Sequence, residues 1–181
     1  VSNYITGGHD LASGGPFRAE LVSTHTRTRY GSDYVETGVS HLYDDFGRRF
    51  HTTDLGMTMD AVDFDASDNV SERSQYHTNL SDFIIDRPRT VVHFRGVQWD
   101  TQDTTNWLWR DLYYYDGAGS STTLPTRGNL TQTRRFHRES VGSIWSVIGE
   151  SEYDTYGNLT SITDARGATS TFTYDPVKHL F

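Results

Sequence analysis

The sequence predicts an all-β protein built from consecutive antiparallel hairpins, and three observations carry that prediction. Apolar material is concentrated in rings, with 11 Tyr, 9 Phe and 4 Trp, while threonine occurs 24 times and Lys178 is the single lysine. Thr, Tyr and Phe fit a pleated, half-buried surface, and the helix-favouring Ala, Leu and Lys are scarce. No long stretch holds the apolar i, i+3, i+4, i+7 pattern of an amphipathic helix. Instead, short runs of Thr, Ser, Val and Tyr recur, each followed by a compact turn.

Taken in chain order, residues 1–40 have the weakest pattern. They are expected to be β, with Gly7-Gly8 and Gly14-Gly15 marking turns or a loose end. Residues 41–181 read as degenerate hairpin repeats. Four turns share the form D-x-x-G: Asp44 to Gly47, Asp116 to Gly119, Asp154 to Gly157 and Asp164 to Gly167. Asp at the first position accepts hydrogen bonds from the turn's own NH groups, and Gly at the fourth takes the left-handed conformation that returns the chain to a strand. Arg89 to Phe94 reads as a strand with Pro88 at its entrance, where a missing NH matters least. Trp99 to Trp109 is polar apart from its tryptophans and Leu108 and is expected to loop over the sheet. Leu112 to Tyr115 is a strand leading to Asp116, and the Gly/Ser/Thr-rich stretch from Gly117 to Thr126 is a second loop insert.

The C-terminal segment is clearest. Asn158 to Thr163 reads as a strand, Asp164 to Gly167 as a turn, and Ala168 to Tyr174 as the returning strand. Tyr174-Asp175 then begins the pattern again, 21 residues after Tyr153-Asp154. That spacing suits a hairpin-sized repeat, and self-similarity of this period suggests stacked units.

Charge and composition narrow the function classes. A net charge of −8 and a pI near 5.4 argue against a nucleic-acid-binding surface. With no cysteine there is neither a disulfide framework nor a thiolate metal site. No run reaches the ~18 apolar residues of a membrane span, and no basic start followed by an apolar run marks a signal peptide. Val1 in place of Met suggests a cleaved, trimmed or excised piece.

At this point the residues resemble a known family. Tyr153-Asp-Thr-Tyr-Gly-Asn-Leu-Thr through Asp164-Ala-Arg-Gly167 to Tyr174-Asp175 looks like one RHS, or YD, repeat and the head of the next. Tyr43-Asp-Asp-Phe-Gly-Arg-Arg49 resembles another head. Tyr115-Asp116 followed by Gly128-Asn-Leu-Thr131 resembles a head and body separated by an insert. Phe83 to Val92 is similar to a segment preceding such repeats in bacterial RHS and Tc-toxin-like proteins, and the resemblance covers roughly residues 40–181. It implies an extended, curved sheet of hairpins, part of a spiral shell, which encloses a toxic polypeptide in bacterial members and serves adhesion in animal teneurins. The chain departs from the family in showing no core segment with self-cleaving aspartates and no following toxin domain, so neither autoproteolysis nor toxicity is carried over.

Other candidate sites weigh less than their ordinary explanations. The acid-rich run with Asp60, Asp63, Asp65 and Asp68 offers oxygens for calcium. Counted from Asp63, however, the sixth position is Asp68 where an EF-hand needs Gly, and the twelfth is Ser74 rather than Glu. Trp99, Trp107 and Trp109, with Trp145, are candidates for ligand stacking in a sugar-binding platform, against the plainer role of packing on a sheet. His9, His25, His41, His51, His77, His93, His137 and His179 lack H-x-x-x-H or H-E-x-x-H spacing and read as structural. No nucleophile elbow or phosphate-binding loop occurs. Sequons at Asn69, Asn79, Asn129 and Asn158 are candidate glycan acceptors, although two belong to the GNLT signature itself.

The expected function is a non-catalytic structural segment of a secreted or extracellular RHS shell that encapsulates a toxin or other polypeptide. It would take no cofactor, and its turn glycines Gly47, Gly157 and Gly167 and rings Tyr43, Tyr153 and Tyr174 would shape the wall. Expected partners are flanking parts of the same protein or neighbouring copies, met through the sheet edges, together with the enclosed polypeptide. A carbohydrate- or protein-binding adhesion module is the first alternative, and a hydrolase whose site is not visible in sequence is the second.

Overall fold

The computed structural model describes residues 2–7, 18–96, 105–139 and 142–175. Every regular element among them is a strand: β1 (Ser2–Gly7), β2 (Arg18–Tyr30), β3 (Asp33–Tyr43), β4 (Arg49–Met59), β5 (Val62–Asp63), β6 (Val70–Tyr76), β7 (Pro88–Arg95), β8 (Trp107–Tyr115), β9 (Leu130–Glu139), β10 (Gly142–Tyr153), β11 (Leu159–Asp164) and β12 (Thr169–Thr171). Hydrogen-bonded neighbours follow chain order along the sheet, with β5 alone off the path, paired to β4. This is the antiparallel hairpin fold that the composition and turn chemistry predict. The chain divides into two compact units, residues 1–74 with 92–108 and residues 75–91 with 109–181.

In the first unit the turn residues explain the order of strands. Tyr30 pairs with Asp33 around Gly31-Ser32, and Gly31 has φ +65°, the first-position glycine of a type II′ turn. Met59 pairs with Val62 around Asp60 and Ala61, at φ +49° and +66°, which is the type I′ pattern without its usual glycine. The interior here is largely polar. Glu36, His25, Thr58, His51, Thr53 and Ser71 are all buried. Apolar side chains on the β4–β5 hairpin, Met57, Met59, Val62 and Phe64, are at least half exposed. Burial of polar groups is tolerated because they are hydrogen-bonded. Thr53 Oγ1 lies 3.1 Å from Ser71 Oγ and 3.0 Å from His51 Nε2, and the His51 ring packs 6.0 Å from that of Phe94.

In the second unit Tyr114, Tyr115 and Phe136 form the buried apolar group. Asp111 is buried beside them and is held by a bidentate pair from Arg135, with Nε and Nη2 each 2.7 Å from a carboxylate oxygen. Two parallel bonds to a charged acceptor satisfy the carboxylate that β8 carries inward.

Three sequence readings are corrected. Trp107 and Trp109 are not loop residues but open β8, so the loop expected over 99–109 is strand at its end; residues 97–104 lie outside the described residues. The returning strand expected over Ala168 to Tyr174 is shorter, with ladder pairing confined to Thr169–Thr171. The third correction is the turn at Asp116, described below.

Candidate functional site

The feature that recurs is the hairpin head, and its chemistry is the same at four places. Tyr43 donates its hydroxyl to the Leu21 carbonyl (2.9 Å), Tyr115 to that of Pro88 (2.8 Å), Tyr153 to that of Leu130 (3.0 Å) and Tyr174 to that of Leu159 (2.7 Å). Pro88, Leu130 and Leu159 are the first residues of β7, β9 and β11. Each hydroxyl therefore ties the end of one strand, or for Tyr174 the chain just past it, to the preceding strand, at its first residue in three cases and at Leu21 within β2 in the fourth. A phenol has the reach and the amphipathic shape for this, because the ring lies along the sheet while its tip bonds the backbone.

The aspartate that follows organises the turn. The Asp44 NH donates to the Arg48 carbonyl (3.0 Å), and the Asp154 NH to that of Asn158 (2.9 Å). Their carboxylates accept in return from Phe46 and Arg48 NH (both 3.0 Å) and from Tyr156 and Asn158 NH (both 2.9 Å). Asp164, without a tyrosine before it, closes its turn in the same way onto Arg166 NH (2.8 Å) and Ala168 NH (2.9 Å). Gly47, Gly157 and Gly167 stand at φ +76°, +88° and +81°, the left-handed position that ends a type I turn and re-enters a strand.

Asp116 breaks the expected pattern. It does not begin a D-x-x-G turn with Gly119. Asp116 and Gly117 are both left-handed (φ +55° and +74°), and the Ala118 NH bonds the Tyr115 carbonyl at 2.9 Å. The chain then runs out through residues 118–125 and returns. Asp116 Oδ2 accepts from the NH groups of Thr126 (2.8 Å), Arg127 (2.9 Å) and Gly128 (3.2 Å), and Oδ1 from Asn129 (2.9 Å). The Asp116 NH bonds the Asn129 carbonyl at 2.8 Å, which matches the Asp154 to Asn158 bond, and Gly128 (φ +78°) stands where Gly157 stands. The head is thus preserved across an insert because one carboxylate closes it. Burial opposes ionisation of Asp44, Asp116 and Asp154, but their hydrogen bonds outweigh it and hold all three carboxyls below the usual range.

Adjacent heads meet. A pocket of about 320 Å³ is lined by Asp116, Thr126, Arg127, Asn129, Tyr153 and Asp154. Arg127 Nη1 crosses it to the Thr155 carbonyl (3.2 Å), in the turn of the next head. Both carboxylates in the pocket accept NH groups of the turns.

The other candidates are dispersed. Asp60 accepts from Arg27 (2.8 Å), Asp63 from Asp65 NH and Asn69 Nδ2 (3.0 and 2.9 Å), Asp65 from Ser67 NH (3.1 Å) and Asp68 from Met57 NH (3.3 Å). Among the described residues no three His, Asp or Glu side chains converge on a metal position. Trp107 is buried, Trp109 lies under the Arg135 guanidinium at 5.7 Å, and Trp145 packs against Phe136 at 5.2 Å with the rings tilted by 56°; Trp99 lies outside the described residues. The Asn79 amide donates to Asp82 and to the Pro125 carbonyl (both 2.8 Å), and the Asn158 amide donates to Asp154 (3.0 Å). Asn69 and Asn79 are buried. Sequence reading missed three groupings: Arg127 as a bridge between heads, the Asp111–Arg135 pair, and a cluster in which buried Glu36 accepts from Arg27, from Thr58 Oγ1 (2.8 Å) and from Ala61 NH (2.6 Å). Arg27 foremost, then the Ala61 NH and Thr58 working against burial, hold the Glu36 carboxyl down at about 2.

A family model of the RHS repeat matches residues 153–179. No curated protein matches the chain in sequence. Among solved structures, the chain is similar to one described as "Crystal Structure of TcdB2-TccC3-Cdc42", with a TM-score of 0.51 at 12% identity, covering 88% of this chain and 13% of that one. The likeness is one of fold, and the chain spans about an eighth of the length of that relative.

Proposed function

Taking the chain as the RHS/YD-repeat protein that its matched repeat and hairpin fold support, we propose that it is a structural segment of a shell wall that encloses a polypeptide outside the cell. The observation that carries this reading is the fourfold recurrence of the tyrosine tie. It spends the most distinctive side chains on joining strand to strand, and leaves the paired aspartates closing turns rather than facing a substrate. A wall made this way lengthens by repetition, because each head fixes the register of the next hairpin. Among the described residues β1 and β12 have one hydrogen-bonded neighbour each, so further strands of the same kind have a template at both ends of the path. No helix among the described residues is long and apolar enough to cross a membrane.

Glycan-array binding together with a broad hydrolase screen separates this reading from its rivals. A wall segment should bind no glycan and turn over no substrate. Saturable glycan binding weakened by Trp145→Ala would replace it with the adhesion module, and turnover would replace it with the enzyme.

A further inference from the structure

Five histidines, four of them buried and His93 part-buried, differ in what faces them. His25 Nδ1 lies 3.8 Å from a Glu36 oxygen and His93 Nε2 lies 3.5 Å from one of Glu72. His41, His51 and His77 are 8%, 2% and 2% exposed, and the charges of Arg49, Arg73 and Arg89 act on them in turn.

In the first unit His51 on β4 is the cross-strand partner of Arg73 on β6 and of Leu42 on β3, with Thr53 and Phe94 against its ring. His41 on β3 bonds Thr52 Oγ1 at 3.3 Å, and the charge acting on it is Arg49 of β4. In the second unit the His77 NH bonds the Arg87 carbonyl (2.8 Å) and its ring meets Tyr115 of β8 edge-on at 5.7 Å. The charge acting on it is Arg89 of β7, whose guanidinium bonds Gln75 at 3.2 Å, and the Ser121 backbone offers one hydrogen bond in the opposite sense. Burial first and the arginine second push all three imidazoles below their ordinary value. A proton on any of them costs both lost hydration and repulsion from a guanidinium.

We propose that His41, His51 and His77 are acid-labile points, at which protonation parts the strands that carry or adjoin them while the hairpins of β10, β11 and β12 stay paired. Residues 142–175, which carry those hairpins, contain no histidine. The sign follows from linkage. A ring whose folded-state value is lowered gives stability that is complete above the unfolded value near ~6.5 and is lost as pH falls below it, by up to about tenfold in the folding equilibrium per pH unit for each ring. The carboxylates held low by their hydrogen bonds act in a separate window, below about pH 4.

The test is hydrogen exchange by mass spectrometry on the 181-residue chain at pH 7.5 and 5.5, corrected for intrinsic rates, with urea unfolding at both values. Between these conditions the folding equilibrium should fall, by at most about a thousandfold for three rings. Amides of β3, β4, β6 and β7 should lose protection while those of β10 and β11 keep theirs. Arg73→Gln and Arg89→Gln retain the histidines but remove a repelling charge, so each should reduce the acid loss. His41→Gln/His51→Gln/His77→Gln should abolish it, and if that variant lacks β signal in circular dichroism the arginine variants decide. Flat stability from pH 7.5 to 5.5, protection lost equally in β11, or an acid loss undiminished in both arginine variants would overturn the proposal.

Discussion

Replacing Asp116 with asparagine removes the charge that closes the inserted head while sparing the backbone. Asp116 stands at φ +55°, a conformation that Asn tolerates nearly as well as Gly, so the substitution adds no strain. The carboxylate now receives four NH groups, three on Oδ2 and one on Oδ1. An amide offers one oxygen, and whichever way it turns, its NH₂ faces a donor. Bonds to a charged acceptor are worth about 1.5–3 kcal/mol each. The freed NH groups are exposed and take water instead, so the expected net cost is only about 1–2 kcal/mol. For a chain of this size that lowers Tm by about 2–8 °C. Urea unfolding at pH 7.5 reads the cost, and exchange at residues 126–129 should quicken. The penalty should also shrink as pH falls below about 4, because the depressed wild-type carboxyl gives stability that is present above its unfolded value and lost as it takes up its proton. An unchanged midpoint with unchanged protection at 126–129 would refute the view that this carboxylate holds the head together.

Four further outcomes are expected. Tyr153→Phe deletes the donor to Leu130 and should cost about 0.5–1.5 kcal/mol in urea unfolding, with faster exchange confined to the ends of β9 and β10. Gly157→Val places a β-branched residue at φ +88° and should cost at least about 1–2 kcal/mol; unchanged melting and circular dichroism would count against the turn assignment. A Cβ at Gly38 would lie 2.8 Å from His25 Cε1 and 3.0 Å from Thr58 Cγ2, so Gly38→Ala should destabilise by about 1–3 kcal/mol, read as a lowered Tm. The stability gap between wild type and Glu36→Gln should be full above pH 4.5, narrow below it and close near pH 2, because the wild-type carboxyl is held at about 2; urea midpoints across that range would show it.

What the sequence makes legible is what is local. Asp154 to Gly157 and Asp164 to Gly167 can be read directly because donor, acceptor and left-handed glycine all lie within five residues. Asp116 misleads for the same reason. Gly119 completes the pattern in sequence, but the groups that satisfy the carboxylate lie 10 to 13 residues on, so local chemistry points to the wrong turn. Trp107 and Trp109 look like loop because their neighbours are polar. Asp111 of the same strand, paired with Arg135 of β9 24 residues on, shows that β8 carries polar groups inward, which alternation alone cannot reveal. The Glu36 cluster draws on residues 9 to 25 positions away, and no spacing rule joins them before the strands are paired. The tyrosine tie is half legible. The Tyr-Asp recurrence is plain in sequence, but the carbonyl that each hydroxyl reaches is set by strand register.

Size-exclusion chromatography with light scattering, run with circular dichroism on the isolated chain, bears most directly on its being a strip of shell wall. Among the described residues β1 and β12 have one hydrogen-bonded neighbour each, so β-rich material that self-associates, and is dispersed by charged substitutions on β12 such as Thr169→Lys and Thr171→Lys, is the expected result. A compact, β-rich monomer that stays monomeric at high concentration would contradict it and favour an autonomous binding module.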